Sequence, residues 1–125
     1  MARIVHIAVK VQDLEKATRF YEDVFGFTQT KTSRTGGHVS RHMTDGNIDL
    51  ALLLYDSEDA PEAKLSGDGP RIHHWGIEVE DREGTIKKIE QHGGTIISDR
   101  DEGALKFRAP DGTIAEIVGI GRYKR

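Results

Sequence analysis

His6-Ile7-Ala8-Val9-Lys10-Val11-Gln12-Asp13 and, 68 residues further on, His74-Trp75-Gly76-Ile77-Glu78-Val79-Glu80-Asp81 are two versions of one stretch. The match runs on, with Glu15 falling on Glu83, Glu22 on Glu90 and Gly26 on Gly94. Each version alternates with the period of two that marks a strand. In the first, Val5, Ile7, Val9 and Val11 share one face, opposite Ile4, His6, Ala8 and Lys10. In the second, Trp75, Ile77 and Val79 oppose Ile72, His74, Gly76 and Glu78. One strand repeated with the same histidine predicts two like modules and a site of pseudo-twofold symmetry where they meet.

Working outward, Asp13 stands where a helix N-cap belongs. Leu14, Ala17, Phe20, Tyr21, Val24 and Phe25 follow at helical spacing, and Gly26 stops the helix. Strands are expected over 28–33, 37–43 and 48–54, divided by Arg34-Thr35-Gly36 and the turn Asp45-Gly46-Asn47. Residues 56–70, rich in Asp, Glu, Ala, Pro, Ser and Gly, read as a linker and a mobile loop near the site. The order then repeats: a strand over 72–79, a helix from the Asp81 cap to about His92, and strands near 95–99, 104–109 and 113–118. Gly84 and the scarcity of apolar residues beyond Ile86 and Ile89 make the second helix the weaker one. Each half reads β-α-β-β-β, so the expected fold is α+β. It is one domain over 1–125, with module 1 at about 1–55, the linker at about 56–70 and module 2 at about 71–120.

The 125 residues are 36% hydrophobic and 31% charged, ordinary for a globular chain. A net charge of −3 gives no footprint for nucleic acid, and Arg122-Tyr123-Lys124-Arg125 reads as a solvated end. No apolar run approaches the ~18 residues of a membrane span, and the chain opens directly on a strand, so a cytoplasmic protein is expected. The absence of cysteine removes disulfides, thiolate catalysis and zinc-thiolate sites. Any metal must be held by nitrogen and oxygen.

His6 and His74 suit that role, because the small neighbours Ala8 and Gly76 leave room beside each imidazole. By parity His73 points to the helix side and drops out. Two neutral imidazoles still need anionic oxygen. Glu116, alone among apolar residues in Thr113-Ile114-Ala115-Glu116-Ile117-Val118, requires a cation partner if buried. Asp49 lies in a similar setting in Asn47-Ile48-Asp49-Leu50; aligning Ile48-Asp49-Leu50 on Ala115-Glu116-Ile117 superposes the two acids, whereas aligning the Asp-Gly turns shifts them by one. His38 and His42, four apart on one strand, read as surface or core residues or as auxiliary acid–base groups. Arg41, Arg71, Lys106 and Arg108 read first as solvated positions, with an anion-holding role as the alternative. Trp75, Phe20, Phe25 and Phe27 read as core.

Together these residues resemble the vicinal oxygen chelate superfamily, which includes glyoxalase I, methylmalonyl-CoA epimerase, extradiol dioxygenases and fosfomycin-resistance proteins. The resemblance rests on His6-Ile7-Ala8-Val9, Asp13-Leu14-Glu15-Lys16-Ala17 and Phe20-Tyr21-Glu22-Asp23-Val24-Phe25-Gly26-Phe27. To these are added His73-His74-Trp75-Gly76-Ile77-Glu78-Val79 and Pro110-Asp111-Gly112 with Glu116. It implies paired βαβββ modules curling a mixed sheet into a cup around one divalent metal: nickel, cobalt, zinc, manganese or iron. It also implies His6, His74 and Glu116 as the shared ligand set, with Asp49 where glyoxalase I has a fourth, glutamate ligand and the epimerase a glutamine.

The chemistry so implied is that of a glyoxalase I-like lyase or isomerase acting on a small substrate with vicinal oxygens, such as a glutathione or CoA conjugate. The metal stabilises an enediolate and Glu116 or Asp49 moves the proton. Epimerase, Fe(II) dioxygenase, thiol-transferase and non-catalytic binding readings stand beside it. A homodimer is expected, because exposed sheet edges invite pairing.

Overall fold

The computed structural model describes residues 1–124. Eight strands and three helices follow the repeat: β1 (Arg3–Lys10), α1 (Leu14–Phe25), β2 (Thr28–Thr35), β3 (His38–Thr44), β4 (Asp49–Tyr55), α2 (Pro61–Lys64), β5 (Arg71–Glu78), α3 (Arg82–Gln91), β6 (Thr95–Ile96), β7 (Leu105–Arg108) and β8 (Ile114–Val118). They form one mixed sheet in the order β2-β3-β4-β1-β5-β8-β7-β6. Within each half the first strand pairs in parallel with the last, β1 with β4 and β5 with β8. The halves join where β1 runs antiparallel to β5. That seam is the pseudo-twofold axis, and it sets His6 and His74 in neighbouring strands of one chain.

Both long helices begin as their sequences dictate. The Asp13 carboxylate accepts from the Lys16 amide, and Asp81 accepts from the Gly84 amide. Gly26, at φ 74°, adopts the left-handed conformation that closes α1. Gly84 lies against the Asp81 carboxylate, where a side chain would collide with the cap. The residue that weakens α3 by propensity therefore permits its start.

The face opposite the histidines carries the two long helices. Leu14, Ala17 and Tyr21 of α1 pack with Val9, Val11, Met43, Leu50, Leu52 and Leu54. Ile86 and Ile89 of α3 pack with Ile77, Val79, Leu105 and Ile117. The apolar stripe of α1 is wider than its contact with the sheet. Phe20 and Phe25, expected in the core, stay more than half exposed together with Val24, while Phe27 packs against that cluster. Trp75 is likewise only partly buried.

Strand alternation fails at one repeated place. Between β1 and β5 the register jumps from Ile4↔Ile77 to His6↔Gly76, and from Ala8↔His74 to Val9↔Ile72. Val5 and His73 are therefore bulged residues, 68 positions apart, each immediately before its histidine. The two strands have the same burial pattern position for position, with consecutive buried residues at Val5-His6 and His73-His74. A bulge inserts one residue and re-aims side chains beside it. His73, placed by parity under the helix, instead lies against the His74 and Tyr55 rings.

The linker also departs from expectation, for it carries α2 and is tied to the sheet. The buried Lys10 ammonium donates to the carbonyls of Ala63 and Gly67, both at 2.6 Å. Among the described residues no helix is long and apolar enough to cross a membrane.

Candidate metal centre

Strand register lays the polar residues of the open face in one row. Thr44 stands opposite Asp49, Asp49 opposite His6, His6 opposite Gly76, Gly76 opposite Glu116, and Glu116 opposite Lys106. His74 lies one step along, opposite Ala8. The two acids are not repeat equivalents, contrary to the alignment that superposes them. Gly76 corresponds to Ala8, and Ala8 pairs with Ala51, so Ala51 occupies the position of Glu116 in the first half. Asp49 is level with its own histidine, while Glu116 is level with the glycine two residues beyond His74. That offset sends the acids to opposite nitrogens of His6.

Gly76 makes the row possible. A Cβ there would stand 2.9 Å from His6 Cβ, 3.2 Å from His6 Cδ2 and 3.4 Å from Glu116 Cγ. Across this gap Glu116 Oε1 lies 3.3 Å from His6 Nε2 and 3.5 Å from His74 Nε2, and the two Nε2 atoms are 3.3 Å apart. On the far side of the ring, His6 Nδ1 lies 2.6 Å from Asp49 Oδ2. His42 Nδ1 lies 2.9 Å from both Asp49 oxygens. Among the described residues, two groups able to hold a metal ion result, His6-His74-Glu116 and His6-His42-Asp49. The structure thus brings His6, His74 and Glu116 together in one chain, and places Asp49 with His6 and His42 instead.

The hydrogen-bond partners fix the tautomers. A carboxylate only accepts, so His6 donates Nδ1–H to Asp49, and the lone pair of the neutral imidazole is then on Nε2. The His73 Nε2 lies 2.7 Å from the Glu62 carbonyl, which also only accepts. Burial lowers His73 to about 4, so its ring is neutral at pH 7 and its Nδ1 carries no hydrogen. His74 Nδ1, 2.6 Å away, must then donate to it, leaving His74 Nε2 bare as well. Two imidazole lone pairs and a carboxylate oxygen, all deeply buried, meet at 3.3–3.5 Å. Such a cluster demands a cation between its members, a shared proton or a metal ion. With nitrogen and oxygen donors and the gap held by Gly76, the residues present fit a divalent ion.

The acidities follow. Without metal, burial would raise the Glu116 carboxyl, but a proton on His74 Nε2, the charge the protonated His74 and His6 rings carry, and the Tyr123 hydroxyl outweigh it and bring it to about 2. For Asp49, burial is likewise outweighed by the hydrogen bonds from His42 and His6, which hold it below the ordinary carboxylate range. Burial pushes His74 down against the opposing pull of Glu116.

His6, Asp49, Glu116 and Lys106 of this row, together with His74, line an open cavity of about 820 Å³. His38 and His42 both line it, as their four-residue spacing requires. Of the four cations singled out in the sequence, only Lys106 lines this cavity, 3.9 Å from Glu116 Oε2. Arg41 is bound by Glu15 and Thr18, Arg71 by the Ser66 carbonyl, and Arg108 by the carbonyls of Gly112 and Leu65. Residues 122–124, read as a solvated end, line the cavity too, and Tyr123 reaches Glu116; Arg125 lies outside the described residues. His73 was lost to sequence reasoning because a bulge leaves no mark in the alternation. Tyr123 was lost because nothing local ties it to Glu116.

Residues 3–117 match the model of the glyoxalase/bleomycin resistance protein/dioxygenase superfamily. The sequence is 28% identical over 113 residues to a lactoylglutathione lyase of Haemophilus influenzae, covering 83% of this chain and 76% of that protein. A methylmalonyl-CoA epimerase variant of Streptomyces coelicolor, in complex with 2-nitronate-propionyl-CoA, superposes with a TM-score of 0.77 at 25% identity over 95% of this chain and 97% of that one. A hypothetical protein of Bacillus halodurans has the same fold, with a TM-score of 0.81 at 19% identity over 99% and 98% of the two chains. The chain belongs to the glyoxalase/bleomycin resistance protein/dioxygenase superfamily.

Proposed function

From that membership we propose that the protein is a divalent-metal-dependent lyase or isomerase of glyoxalase type. In this reading His6, His74 and Glu116 hold the ion and Asp49 supports His6 from behind. The observation that carries it is the buried meeting of the His6 and His74 Nε2 atoms with Glu116 Oε1 at 3.3–3.5 Å, beside an open cavity. When bound there, a divalent ion supplies a Lewis acid that stabilises negative charge on the vicinal oxygens of a substrate.

This chain's residues perform the remaining work. Glu116 is the candidate for moving the proton next to the substrate carbonyl. Its Oε1 accepts from the Tyr123 hydroxyl and is turned to the two imidazoles, while Oε2 lies 3.9 Å from the Lys106 ammonium. Both Asp49 oxygens accept from imidazole N–H groups, which favours Glu116 over Asp49 for that task. Lys31, Lys106, Arg122 and Lys124 line the cavity and suit an anionic conjugate such as a glutathione or CoA thioester. Exposed Phe20, Val24 and Phe25 on α1 favour pairing with a second copy of the chain.

The test is to load purified protein separately with nickel, cobalt, zinc, manganese and iron and follow the hemithioacetal of methylglyoxal and glutathione. Saturable turnover in at least one metal form, lost in His74→Ala, is expected; no turnover with any of them overturns the glyoxalase reading. A second reading, epimerisation beside a CoA thioester carbonyl, is favoured by the 25% identical epimerase neighbour. Exchange of the α-proton of methylmalonyl-CoA with solvent deuterium, without hemithioacetal turnover, selects it.

A further inference from the structure

After β8 the chain does not leave the sheet. Residues 119–124 fold back as a strap across the open face, held at three successive residues. The Gly121 amide donates to Glu78 Oε2 at 3.0 Å, and Glu78 is a buried acid on the histidine face of β5. Arg122 packs against Gly103, where a Cβ would come within 2.8 Å of its Nη1. Tyr123 then lays its ring on His6, with centroids 4.2 Å apart and planes 9° from parallel. Its hydroxyl donates to Glu116 Oε1 at 2.6 Å.

The oxygen that Tyr123 grips is the one turned toward both imidazoles. A carboxylate on a side chain with three torsions can present either oxygen, or neither, to a neighbouring pair of nitrogens. The phenol removes that freedom by taking one lone pair of Oε1 and leaving the other directed at His6 and His74. Oε2 is left toward Lys106 at 3.9 Å. The ring does for His6 what the hydroxyl does for Glu116: stacking fixes the imidazole plane, while Asp49 fixes its tilt through Nδ1.

We propose that Tyr123 is a positioning residue of the metal centre, its hydroxyl aiming Glu116 Oε1 and its ring fixing the plane of His6. The proposal rests on the reading that His6, His74 and Glu116 hold an ion. It adds a residue from outside the repeat, carried by a strap that Glu78 anchors.

Tyr123→Phe keeps the stacking and removes only the hydroxyl. Cobalt(II) is the probe, because its visible absorption reports ligand geometry and its affinity is read by competition with a chromogenic chelator. Tyr123→Phe is expected to bind cobalt about 10-fold more weakly, in line with the loss of an outer hydrogen-bond partner, with shifted absorption bands. Tyr123→Phe with wild-type affinity and wild-type bands overturns the role of Tyr123. Failure of the wild-type protein itself to take up cobalt overturns the metal reading instead, so the two failures appear in different samples. The stacking is read without metal: ring-current shifts of the His6 ring protons in NMR persist in Tyr123→Phe and vanish in Tyr123→Ala. Their absence from the wild-type spectrum also overturns the proposal.

Discussion

Asp49→Asn separates a ligand from the support of a ligand. Asp49 is buried, accepts His6 Nδ1–H at 2.6 Å and accepts His42 Nδ1–H at 2.9 Å. Asparagine is nearly the same shape and still offers one oxygen to His6, so the packing of β4 against β1 survives. What disappears is the charge behind the imidazole. A hydrogen bond to a charged group contributes about 1.5–3 kcal/mol. Loss of an outer partner lowers metal affinity by about 10- to 100-fold, which at about 1.4 kcal/mol per decade is roughly 1.4–2.8 kcal/mol. The two routes agree, and both leave the site occupied at saturating metal. The assay is elemental analysis for stoichiometry plus chelator competition for affinity, with His74→Ala as the comparison that removes a ligand outright. Full stoichiometry with affinity down about 10- to 100-fold is expected. Asp49→Asn that loses its metal as His74→Ala does would make Asp49 a ligand, and an affinity equal to wild type would leave it no role at the centre; either refutes the placement of Asp49 behind His6.

Gly76→Ala puts a methyl group 2.9 Å from His6 Cβ and 3.4 Å from Glu116 Cγ. Overpacking of this kind costs about 1–3 kcal/mol, to be read as a lower denaturant midpoint together with weakened metal binding; unchanged values for both would show that the gap is not needed. Acid should destabilise the metal-free protein in two stages. His73 has its ordinary value of 6.5 lowered to about 4, so between those values the unfolded chain binds a proton that the fold does not, and stability falls as pH falls through the window. The contribution of Glu116, lowered from 4.5 to about 2, is complete above 4.5 and is lost as pH falls toward 2. Denaturant midpoints against pH should show a shallower slope between pH 6.5 and 4 in His73→Gln than in wild type, and equal slopes would sink the assignment. Lys106→Gln should raise KM for an anionic thioester about 10-fold or more, the value of one charge-assisted bond, with kcat changed less; steady-state kinetics with charged and uncharged thiol carriers decide it.

Much of the fold and part of the centre lie open in the sequence. His6 and His74 are legible because a repeat of 68 residues puts them at matching places. Glu116 is legible because a lone acid among β-branched neighbours has no apolar reason to be there. The element order of each half, β-α-β-β-β, follows from the repeat too. These are local properties: period, residue type and spacing along one strand or helix.

Register is not local. Whether Asp49 lies level with His6 or with Ala8 depends on how β4 slides along β1, and a shift of two residues keeps every side chain on its face. The sequence therefore allows both placements, and the paired strands select the one that turns Asp49 to Nδ1 of His6 and leaves Nε2 to Glu116. A bulge likewise appears only between two strands, so His73 entered the site by breaking an alternation that each strand alone obeys. The strap is the extreme case: Tyr123 and His6 are 117 positions apart, and only the folded chain brings phenol, imidazole and carboxylate to one point. Local pattern determines which residues face the cavity, and pairing between strands decides which atom of each one points where.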